Sequence, residues 1–526
     1  MTATTAILLP RRPGPAAPRC SLALVLVLVA SAALGCGSPD DAPRATPEMS
    51  GPAEPPPPPR PSPGVDLDGP IPLPERGGPI ARGGSRVPVE LTADRALLPV
   101  AVPRPPRGGS VGFSFDGERR GWVASLPESQ QLPTVAYGGD KVYVSGGFQS
   151  VSFYALHATT GQMQWATTNL EDNGPTSAVF EDGRVIFNTE SCTLFALDAR
   201  TGKRLWLRWL GDPTLAQTAV ADGLVFAAHP AEKGYVLSAL RVTTGAPVWS
   251  GWIGSEAIAA PVIAGDSVYV STLEGLTLRF VRKTGRLRWS RRLGATTAPW
   301  ISGDELFVTR RRGKQEQQIV VATGTGEIVR EHHVSAGAYA GDLPHGSDWY
   351  GVWAYEGSRP VVDRGVRYVA MGSEIHATDA RTGEALWHRR YPGNADRRAL
   401  GSVAVAGSAV VFATRDGKLF GLDVDTGYTL WSYDLGVRVV AQPIIARGWI
   451  YASTADGRVV ALEVADPSLD GWHMFGGNPH HNGLVAPPPP PRPLEAPAPT
   501  APAPPAEPAP PARTADPAQP ARAARG

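Results

Sequence analysis

The residue types that carry catalysis or metal binding are sparse in this 526-residue chain. Two histidine pairs, His332 with His333 and His480 with His481, are adjacent in sequence. Side chains of adjacent residues point apart in an extended segment, so neither pair is predicted to bind a metal ion. The chain has no arrangement typical of a nucleophile elbow or a phosphate-binding loop, and sequence order alone assembles no Ser-His-Asp triad. The sequence therefore predicts no catalytic and no metal-ligating residue.

The three cysteines favour an exported protein without disulfide bonds. Cys20 lies in the N-terminal segment, Cys36 follows it, and Cys192 stands alone in the middle of the chain. A lone cysteine in an oxidising compartment is more often a small buried residue than a nucleophile. Cys192 is accordingly predicted to be buried and unreactive.

Cys36 follows the three parts of an export signal: a basic start, an apolar run over residues 22–34 and small residues before the cysteine. Its context, Ala33-Leu34-Gly35-Cys36, resembles the lipobox of bacterial lipoproteins, with Ala33 where Leu is more usual. The resemblance implies that residues 1–35 are removed and that Cys36 carries the lipid. Gly37, rather than Asp, follows, which favours the outer membrane of a Gram-negative cell, on its periplasmic side. An ordinary secretory signal is the alternative.

Composition divides the remaining chain into three parts. Residues 36–110 and 484–526 are dominated by Pro, Ala and Gly, and are predicted to be a flexible linker and a disordered tail. Residues 111–483 are rich in Val, Leu, Ala and Trp and are predicted to form the folded domain. The 50 basic and 49 acidic residues nearly cancel, so the overall charge does not favour nucleic-acid binding.

A self-similar unit recurs along residues 111–483. Thr-Gly is followed by Trp four residues after the Gly in six copies, and a seventh copy has Arg330 in place of Trp. The six copies are Gly161/Trp165, Gly202/Trp206, Gly245/Trp249, Gly285/Trp289, Gly383/Trp387 and Gly427/Trp431. Gly permits positive φ at a turn, and Trp offers a large apolar face with an N–H donor, suited to packing between repeats. These residues are therefore predicted to be structural.

Strand patterns within each unit favour a ring of small sheets. Short apolar and β-branched segments alternate with turns that contain Gly and Asp. The second strand of the unit is recognisable eight times, first at residues 142–144 and last at 450–452. Stacking such sheets in a ring covers their apolar faces. The sequence thus predicts an all-β fold, an eight-bladed β-propeller of four-stranded blades, with seven blades as the alternative.

The closure of the ring can also be predicted. The last unit ends at residues 461–464 without a Thr-Gly turn and Trp strand. An unassigned strand with the right pattern occurs on the N-terminal side, at residues 121–126. This strand is predicted to complete the last blade as its outer strand.

The full repeat motif, Ala-x-Asp-x-x-Thr-Gly-x-x-x-Trp, occurs at residues 196–206 and 377–387, and Gly421 replaces Ala in the copy that ends at Trp431. These residues resemble the family of quinoprotein-like (PQQ-binding-like) β-propeller repeats over roughly residues 112–483. Residues 472–483 also resemble a terminal segment that recurs in such proteins. A lipobox followed by such a propeller is similar in architecture to the assembly-factor lipoproteins of Gram-negative outer membranes. The resemblance implies a monomeric, non-catalytic propeller that binds or scaffolds protein partners in the cell envelope.

The alternative within the resemblance is a PQQ-dependent periplasmic dehydrogenase. Such an enzyme needs Ca²⁺ held by Glu, Asn and Asp oxygens, an Asp base, and usually a disulfide of adjacent cysteines. This chain cannot form that disulfide, and no carboxylate set stands out from the turns. We therefore expect no cofactor; reconstitution with the quinone and Ca²⁺, followed by an assay of dye-linked oxidation, separates the two functions.

One interval departs from the repeat period and predicts where a partner binds. Gly326 and Gly383 are 57 residues apart, whereas the other intervals are 40 to 44 residues. Insertions in repeat proteins form loops on one face, and large aromatic residues on a loop favour either a cap or a binding surface. The aromatic residues of the excess are Trp349, Tyr350, Trp353 and Tyr355, and a basic stretch predicted at a turn lies upstream, Arg310, Arg311 and Arg312. For that stretch, a solvated turn is the alternative to an anionic partner.

Overall fold

Eight small sheets make up the structure, a computed structural model. It describes residues 89–128, 130–211, 217–312, 315–334, 361–371, 373–392, 400–439, 441–464 and 466–483. Its elements are all strands, and within these residues no helix is long and apolar enough to cross a membrane. The prediction of an all-β, eight-bladed propeller is confirmed, and the alternative of seven blades is wrong.

Blades 1 to 4 are four-stranded sheets whose strands follow one another along the chain. Blade 1 comprises β5 (Ala136–Gly138), β6 (Lys141–Ser145), β7 (Phe153–His157) and β8 (Met163–Thr167). Blade 2 comprises β9 (Val179–Glu181), β10 (Arg184–Asn188), β11 (Thr193–Asp198) and β12 (Arg204–Trp209). Blade 3 comprises β13 (Ala219–Ala221), β14 (Leu224–Ala231), β15 (Gly234–Arg241) and β16 (Pro247–Gly254). Blade 4 comprises β17 (Val262–Ala264), β18 (Ser267–Ser271), β19 (Leu276–Val281) and β20 (Leu287–Arg292).

Blade 5 is also four-stranded, whereas N-terminal strands enlarge or complete blades 6 to 8. Blade 5 comprises β21 (Trp300–Ser302), β22 (Glu305–Arg312), β23 (Gln315–Ala322) and β24 (Ile328–Val334). Blade 6 comprises β25 (Val361–Asp363), β26 (Val366–Met371), β27 (Glu374–Asp379) and β28 (Ala385–Arg390), with β1 (Val89–Glu90). Blade 7 comprises β29 (Ala404–Ala406), β30 (Ala409–Ala413), β31 (Lys418–Asp423) and β32 (Thr429–Asp434), with β2 (Leu98–Pro99). Blade 8 comprises β33 (Ile444–Ala446), β34 (Trp449–Ser453) and β35 (Arg458–Glu463), with β4 (Arg119–Ser125) and β3 (Ser110–Phe115).

The repeat tryptophans join neighbouring blades. The indoles of Trp122 and of the repeat tryptophans other than Trp431 lie against the repeat Gly of the next blade, where a Cβ would come within about 2.3 to 2.8 Å of the ring, whereas Trp431 lies against Gly421 of its own blade. Each of those six indole N–H groups donates to the backbone carbonyl three residues before the Gly that it contacts. These bonds are Trp122 to Ala158, Trp165 to Ala199, Trp206 to Val242, Trp249 to Arg282, Trp289 to Thr323 and Trp387 to Val424, at 2.7 to 3.1 Å. The motif therefore recurs because each copy fastens one blade to the next.

Blade 5 departs from this pattern. Arg330 occupies the Trp position and pairs with Glu305 of its own blade, with Nη2 and Oε2 2.6 Å apart. The interface between blades 5 and 6 therefore lacks the indole bond that fastens its neighbours. We call this interface the blade 5–6 seam.

Substitution of a repeat Gly should cost more than substitution of an ordinary turn Gly. Gly202 and Gly183 both lie in blade 2 and share a φ of +72°, but only Gly202 has an indole, that of Trp165, 2.6 Å from the site of a Cβ. Gly183→Ala is expected to cost about 1 kcal/mol for the left-handed backbone alone. Gly202→Ala is expected to cost about 2 kcal/mol more, because the methyl group displaces the indole. Denaturant unfolding of both variants measures this difference, and equal losses would contradict the account of the motif.

The N-terminal strand closes the ring, as predicted. β4 pairs antiparallel with β35, with Trp122 opposite Ala461. It is the fourth strand of blade 8 but not the outermost, because β3 adds a fifth strand beyond it. The inner strands β33 and β5 are in contact, so blade 8 adjoins blade 1. Trp122 then bonds to Ala158 of blade 1 in the same way as the other repeat tryptophans.

Part of the segment predicted to be a linker belongs to the fold. β1 pairs in parallel with β28, and β2 pairs in parallel with β32. Backbone bonds of 2.8 Å extend both contacts, from Leu91 N–H to Arg390 and from Val100 N–H to Asp434, and both apolar side chains are buried. We call residues 89–115 the N-terminal strap. Its strands could not be recognised in the Pro-rich sequence, because main-chain hydrogen bonds, rather than a pattern of side chains, hold the strap in place.

Residues 469–483 lie along the inner strands of the ring. Their carbonyl groups accept backbone N–H bonds from four inner strands: Trp472 from Ile445, His473 from Tyr137, Pro479 from Val220 and His480 from Ile263. The side chain of Asn482 bonds to the carbonyl of Ile263 at 3.0 Å. We call residues 469–483 the C-terminal segment. It therefore ties blades 1, 3, 4 and 8 together from the inside of the ring.

Candidate functional site: the exposed rim of blades 2 to 4

Two sets of predicted site residues lie outside the described residues. They are the lipidation residue Cys36 and the aromatic residues Trp349, Tyr350, Trp353 and Tyr355. Both assignments stay predictions.

The basic stretch lies at a hairpin of blade 5, as predicted. Arg310, Arg311 and Arg312 are the last three residues of β22 and pair with β23, which begins at Gln315. The side chain of Arg310 bonds to Gln317 at 3.1 Å and to both carboxylate oxygens of Glu331 at 3.0 and 3.1 Å. Its charge is therefore paired within its own blade, which weakens its candidacy as an anion-binding residue.

The C-terminal histidines have structural surroundings. Both ring nitrogens of His481 lie 2.6 Å from backbone carbonyl oxygens, those of Phe475 and Thr218. His480 is partly buried, and its backbone carbonyl accepts the N–H of Ile263. These contacts stabilise the C-terminal segment. The side chains of His332 and His333 are outside the described residues.

The pocket beside the C-terminal segment does not suit a calcium ion. Its polar lining side chains are those of Ser402, Gln442, Trp300 and Trp472, and the rest of the lining is apolar or backbone. Ca²⁺ in proteins is bound by six to eight oxygen atoms, largely from carboxylates. No carboxylate lines this pocket, so it does not fit the calcium site that a quinone enzyme requires.

The outer edges of blades 1 to 5 differ from those of blades 6 to 8. The N-terminal strap pairs with the outer strands of blades 6 and 7 and supplies the outermost strand of blade 8. No further strand pairs with the outer strands of blades 1 to 5 within the described part of the chain. Outer strands such as β12 and β16 therefore present unpaired N–H and C=O groups along one edge, which is a template for an added strand.

Exposed apolar side chains lie beside these open edges. Trp209 ends β12 and Trp252 lies near the end of β16, with side chains 66% and 57% exposed. Leu273, in the hairpin between β18 and β19, is 59% exposed. All three lie at the end of the ring that carries the hairpins between the second and third strands of the blades. We call them the rim patch.

The structure holds Trp252 in place although its ring is exposed. Its Nε1–H donates to the carbonyl of Lys233, in the hairpin between β14 and β15, at 3.1 Å. The ring also lies over the adjoining backbone, 3.3 Å from the position of a Cβ on Gly254. A large aromatic side chain fixed in an exposed position loses little conformational freedom on binding, which suits an interface anchor.

Cys192 lies beside the end of the rim strand β12 on blade 2. The N–H of Leu210, next to Trp209, donates to the carbonyl of Cys192 at 2.9 Å. Burial, with smaller contributions from the negative charges of Glu256 and Asp172, raises the pKa of the Cys192 thiol to about 12. The thiol is therefore protonated and unsuited to act as a nucleophile, in agreement with the prediction that it is buried and unreactive.

The spacing of the tryptophans in the sequence could have indicated the rim patch, but the repeat motif accounts for only one Trp of each pair. Trp209 and Trp252 each follow a repeat Trp by three residues, in Trp206-Leu-Arg-Trp209 and Trp249-Ser-Gly-Trp252. Positions three apart point to opposite faces of a strand, so two tryptophans at this spacing cannot both pack against the next blade. An apolar residue out of phase with the core is a candidate for surface binding.

The comparisons with known proteins agree with the fold. The family model described as "Outer membrane protein assembly factor BamB" matches residues 107–332 and 353–480. The BamB of Yersinia pestis is 25% identical over 367 residues, which cover 67% of this chain and 68% of that protein. The solved structure of BamB from Moraxella catarrhalis is similar in fold, with a TM-score of 0.50, 18% identity, and coverage of 67% of this chain and 100% of that one.

Other matches are shorter. The quinoprotein alcohol dehydrogenase PedH of Pseudomonas putida is 33% identical over 127 residues, 20% of this chain and 21% of that protein. At 33 to 34% identity, the chain spans only about a fifth to a quarter of the length of the curated relatives that it matches. The family model, by contrast, matches about two thirds of the chain, and its match includes both β4 and β35, the strands that pair to close the ring. The chain belongs to the outer membrane protein assembly factor BamB family.

Proposed function

We propose that this protein is a non-catalytic lipoprotein of the cell envelope that binds protein partners in outer-membrane assembly. The observation that carries the proposal is the rim patch, since Trp209 and Trp252 are exposed at corresponding positions of neighbouring blades. Tryptophan is among the residue types most enriched at interface hot spots. The names of the relatives support a role in assembly.

The mode of binding that we propose is the addition of an extended segment to the outer edge of blade 2 or 3. The chain itself demonstrates this mode, because β1 and β2 are two-residue strands that add in parallel to β28 and β32. Main-chain hydrogen bonds supply affinity in such complexes, and side chains beside the edge supply specificity. Strands of outer-membrane barrels alternate apolar and polar residues, so an extended barrel segment can place apolar side chains against Trp209 or Trp252.

The absence of catalysis is part of the proposal. The pocket beside the C-terminal segment offers no carboxylate to a calcium ion, and the thiol of Cys192 is buried and protonated at neutral pH. The first observation supports a binding protein over a quinone-dependent dehydrogenase, and the second argues against Cys192 as a nucleophile. We propose accordingly that the protein works as a monomer without a quinone.

The membrane anchor is proposed to be a lipid on Cys36. Each buried CH₂ of an acyl chain contributes about 0.8 kcal/mol, and two or more chains give stable attachment. Cys36→Ser is therefore expected to move the full-length protein from the membrane fraction of a Gram-negative host to the soluble periplasmic fraction. Cys192→Ser, which changes a buried thiol, is the matched control and should leave the protein in the membrane fraction. Retention of the Cys36→Ser protein in the membrane fraction would show that the anchor is not this lipid.

A further inference from the structure

Glu374, His376 and His388 come together on one face of blade 6. Glu374 and His376 are two apart on β27, and His388 of β28 is directly opposite His376. Trp387, beside His388 in sequence, bonds to Val424 of blade 7. Because neighbours on a strand point to opposite faces, the two histidines and Glu374 lie on the face of blade 6 that is turned toward blade 5. The cluster therefore lies at the blade 5–6 seam.

The nitrogen atoms of the two imidazoles converge on one carboxylate oxygen. Nε2 of His388 is 3.1 Å from Oε2 of Glu374, and Nε2 of His376 is 3.4 Å from the same atom. Neither nitrogen makes a hydrogen bond of acceptable geometry. The rings are stacked with their centroids 3.9 Å apart, and both Nε2 atoms face the same carboxylate oxygen.

These separations suit a tetrahedral metal ion. Bonds of about 2.0 to 2.1 Å from Zn²⁺ to nitrogen or oxygen place two ligands of a tetrahedron about 3.3 to 3.4 Å apart. The two nitrogen–oxygen distances, 3.1 and 3.4 Å, bracket that value closely. The three potential ligand atoms all lie within 4.8 Å of one another. A metal can therefore be placed between them with small side-chain adjustments.

Arginines around the cluster act in opposite ways. Arg390 donates to Oε1 of Glu374 at 2.8 and 3.0 Å, which leaves Oε2 toward the imidazoles and orients the carboxylate as an outer partner does in metal sites. Arg367 of β26 is buried and donates to Thr378 at 2.9 Å, and its positive charge disfavours a second cation nearby. The ligand atoms, two imidazole nitrogens and one carboxylate oxygen, favour nitrogen-preferring metals over Ca²⁺ or Mg²⁺.

We infer that Glu374, His376 and His388 form a three-ligand site for a divalent transition metal ion, with Zn²⁺ the best fit to its geometry. Two histidines and one glutamate supply three of the four positions of a tetrahedral site, and a water or an exogenous group takes the fourth. The ion joins β27 to β28 at the seam where blade 5 lacks the Trp that fastens other blades. This site is independent of the rim patch, which lies on blades 2 to 4.

The test is a metal titration of the full-length protein without an affinity tag. Chelator-treated protein is titrated with ZnCl₂ by calorimetry, and Co²⁺ is added separately to record the visible absorption band of a tetrahedral ion. We expect one Zn²⁺ per chain, a tetrahedral Co²⁺ spectrum that Zn²⁺ abolishes, and a melting temperature that rises with Zn²⁺. His388→Gln and Glu374→Gln should each weaken binding by about 100-fold or more.

The matched control is His157→Gln, which changes a histidine at the end of β7 whose ring nitrogen accepts from Thr159. It should bind Zn²⁺ as the unchanged protein does. No high-affinity Zn²⁺ on the unchanged protein would overturn the inference, as would equal binding by Glu374→Gln and His388→Gln. An octahedral Co²⁺ spectrum would overturn the proposed coordination even if a variant failed to fold.

Discussion

Replacing Trp209 and Trp252 together with Ser is expected to weaken binding of an extended apolar peptide by about 30-fold while leaving the melting temperature nearly unchanged. A 30-fold change corresponds to about 2 kcal/mol, the usual cost of losing an interface hot spot. The melting temperature should hold because both side chains are mostly exposed, so little buried surface is lost from the fold.

The probe is a fluorescent ten-residue peptide with the alternating apolar pattern of an outer-membrane barrel strand, and the readout is fluorescence anisotropy. Leu205→Ser with Val248→Ser is the matched control, since these residues lie on the same two strands toward the other end and are 46% and 41% exposed. A second peptide with Pro at its centre cannot complete the strand hydrogen bonds and should bind weakly.

The results of these measurements test the position of the binding site and the mode of binding separately. Equal loss with the control pair would mean that the peptide does not distinguish the rim from the rest of the edge. Equal binding of the Pro peptide would rule out strand addition. A fall in melting temperature with unchanged peptide affinity would make the rim patch structural and remove the support for the proposed function.

The second large effect concerns closure of the ring. Deleting residues 37–126 should prevent folding or lower the melting temperature by more than about 15 °C. The deletion removes the N-terminal strap and β4, and with them the buried side chains of Phe115, Trp122, Val123 and Leu126. Full burial of each such side chain contributes about 1.5 to 3 kcal/mol, so the loss approaches the 5 to 15 kcal/mol that stabilises a typical domain.

Two shorter deletions are the controls for closure. Deleting residues 37–88 keeps the strap and should leave the melting temperature unchanged. Deleting residues 37–103 removes β1 and β2 and should give an intermediate fall, because Leu91 and Val100 lose their buried positions. Thermal unfolding of the three proteins decides the matter, and equal melting temperatures would contradict the proposed roles of the strap and β4.

The propeller could be predicted from the sequence because its decisive contacts repeat. Each Thr-Gly turn and the Trp after it recur at nearly fixed spacing, and the interaction that they form is the same in blade after blade. Closure by β4 could be predicted for a related reason: the last unit lacked the strand that Trp122 and its neighbours supply. Repetition turns a tertiary contact into a visible sequence pattern.

The functional features could not be predicted in the same way, because each occurs once. β1 and β2 are two residues long and are held by main-chain bonds, so composition conceals them. Glu374 and His388 are separated by a turn and a β-bulge between Ala377 and Thr378, and their meeting depends on the strand register. The contacts of Arg310 with Gln317 and Glu331 likewise depend on the register of the blade 5 strands.

The most direct test of the central claim is site-specific photocrosslinking in living Gram-negative cells. A photoreactive amino acid is placed at position 209 in one protein and at position 205 in another, on the same strand of blade 2. We expect crosslinks from position 209 to outer-membrane proteins or to the proteins that assemble them, and few or none from position 205. Equal crosslinking from the two positions, or crosslinks from neither, would contradict the claim that this rim of the propeller binds envelope proteins.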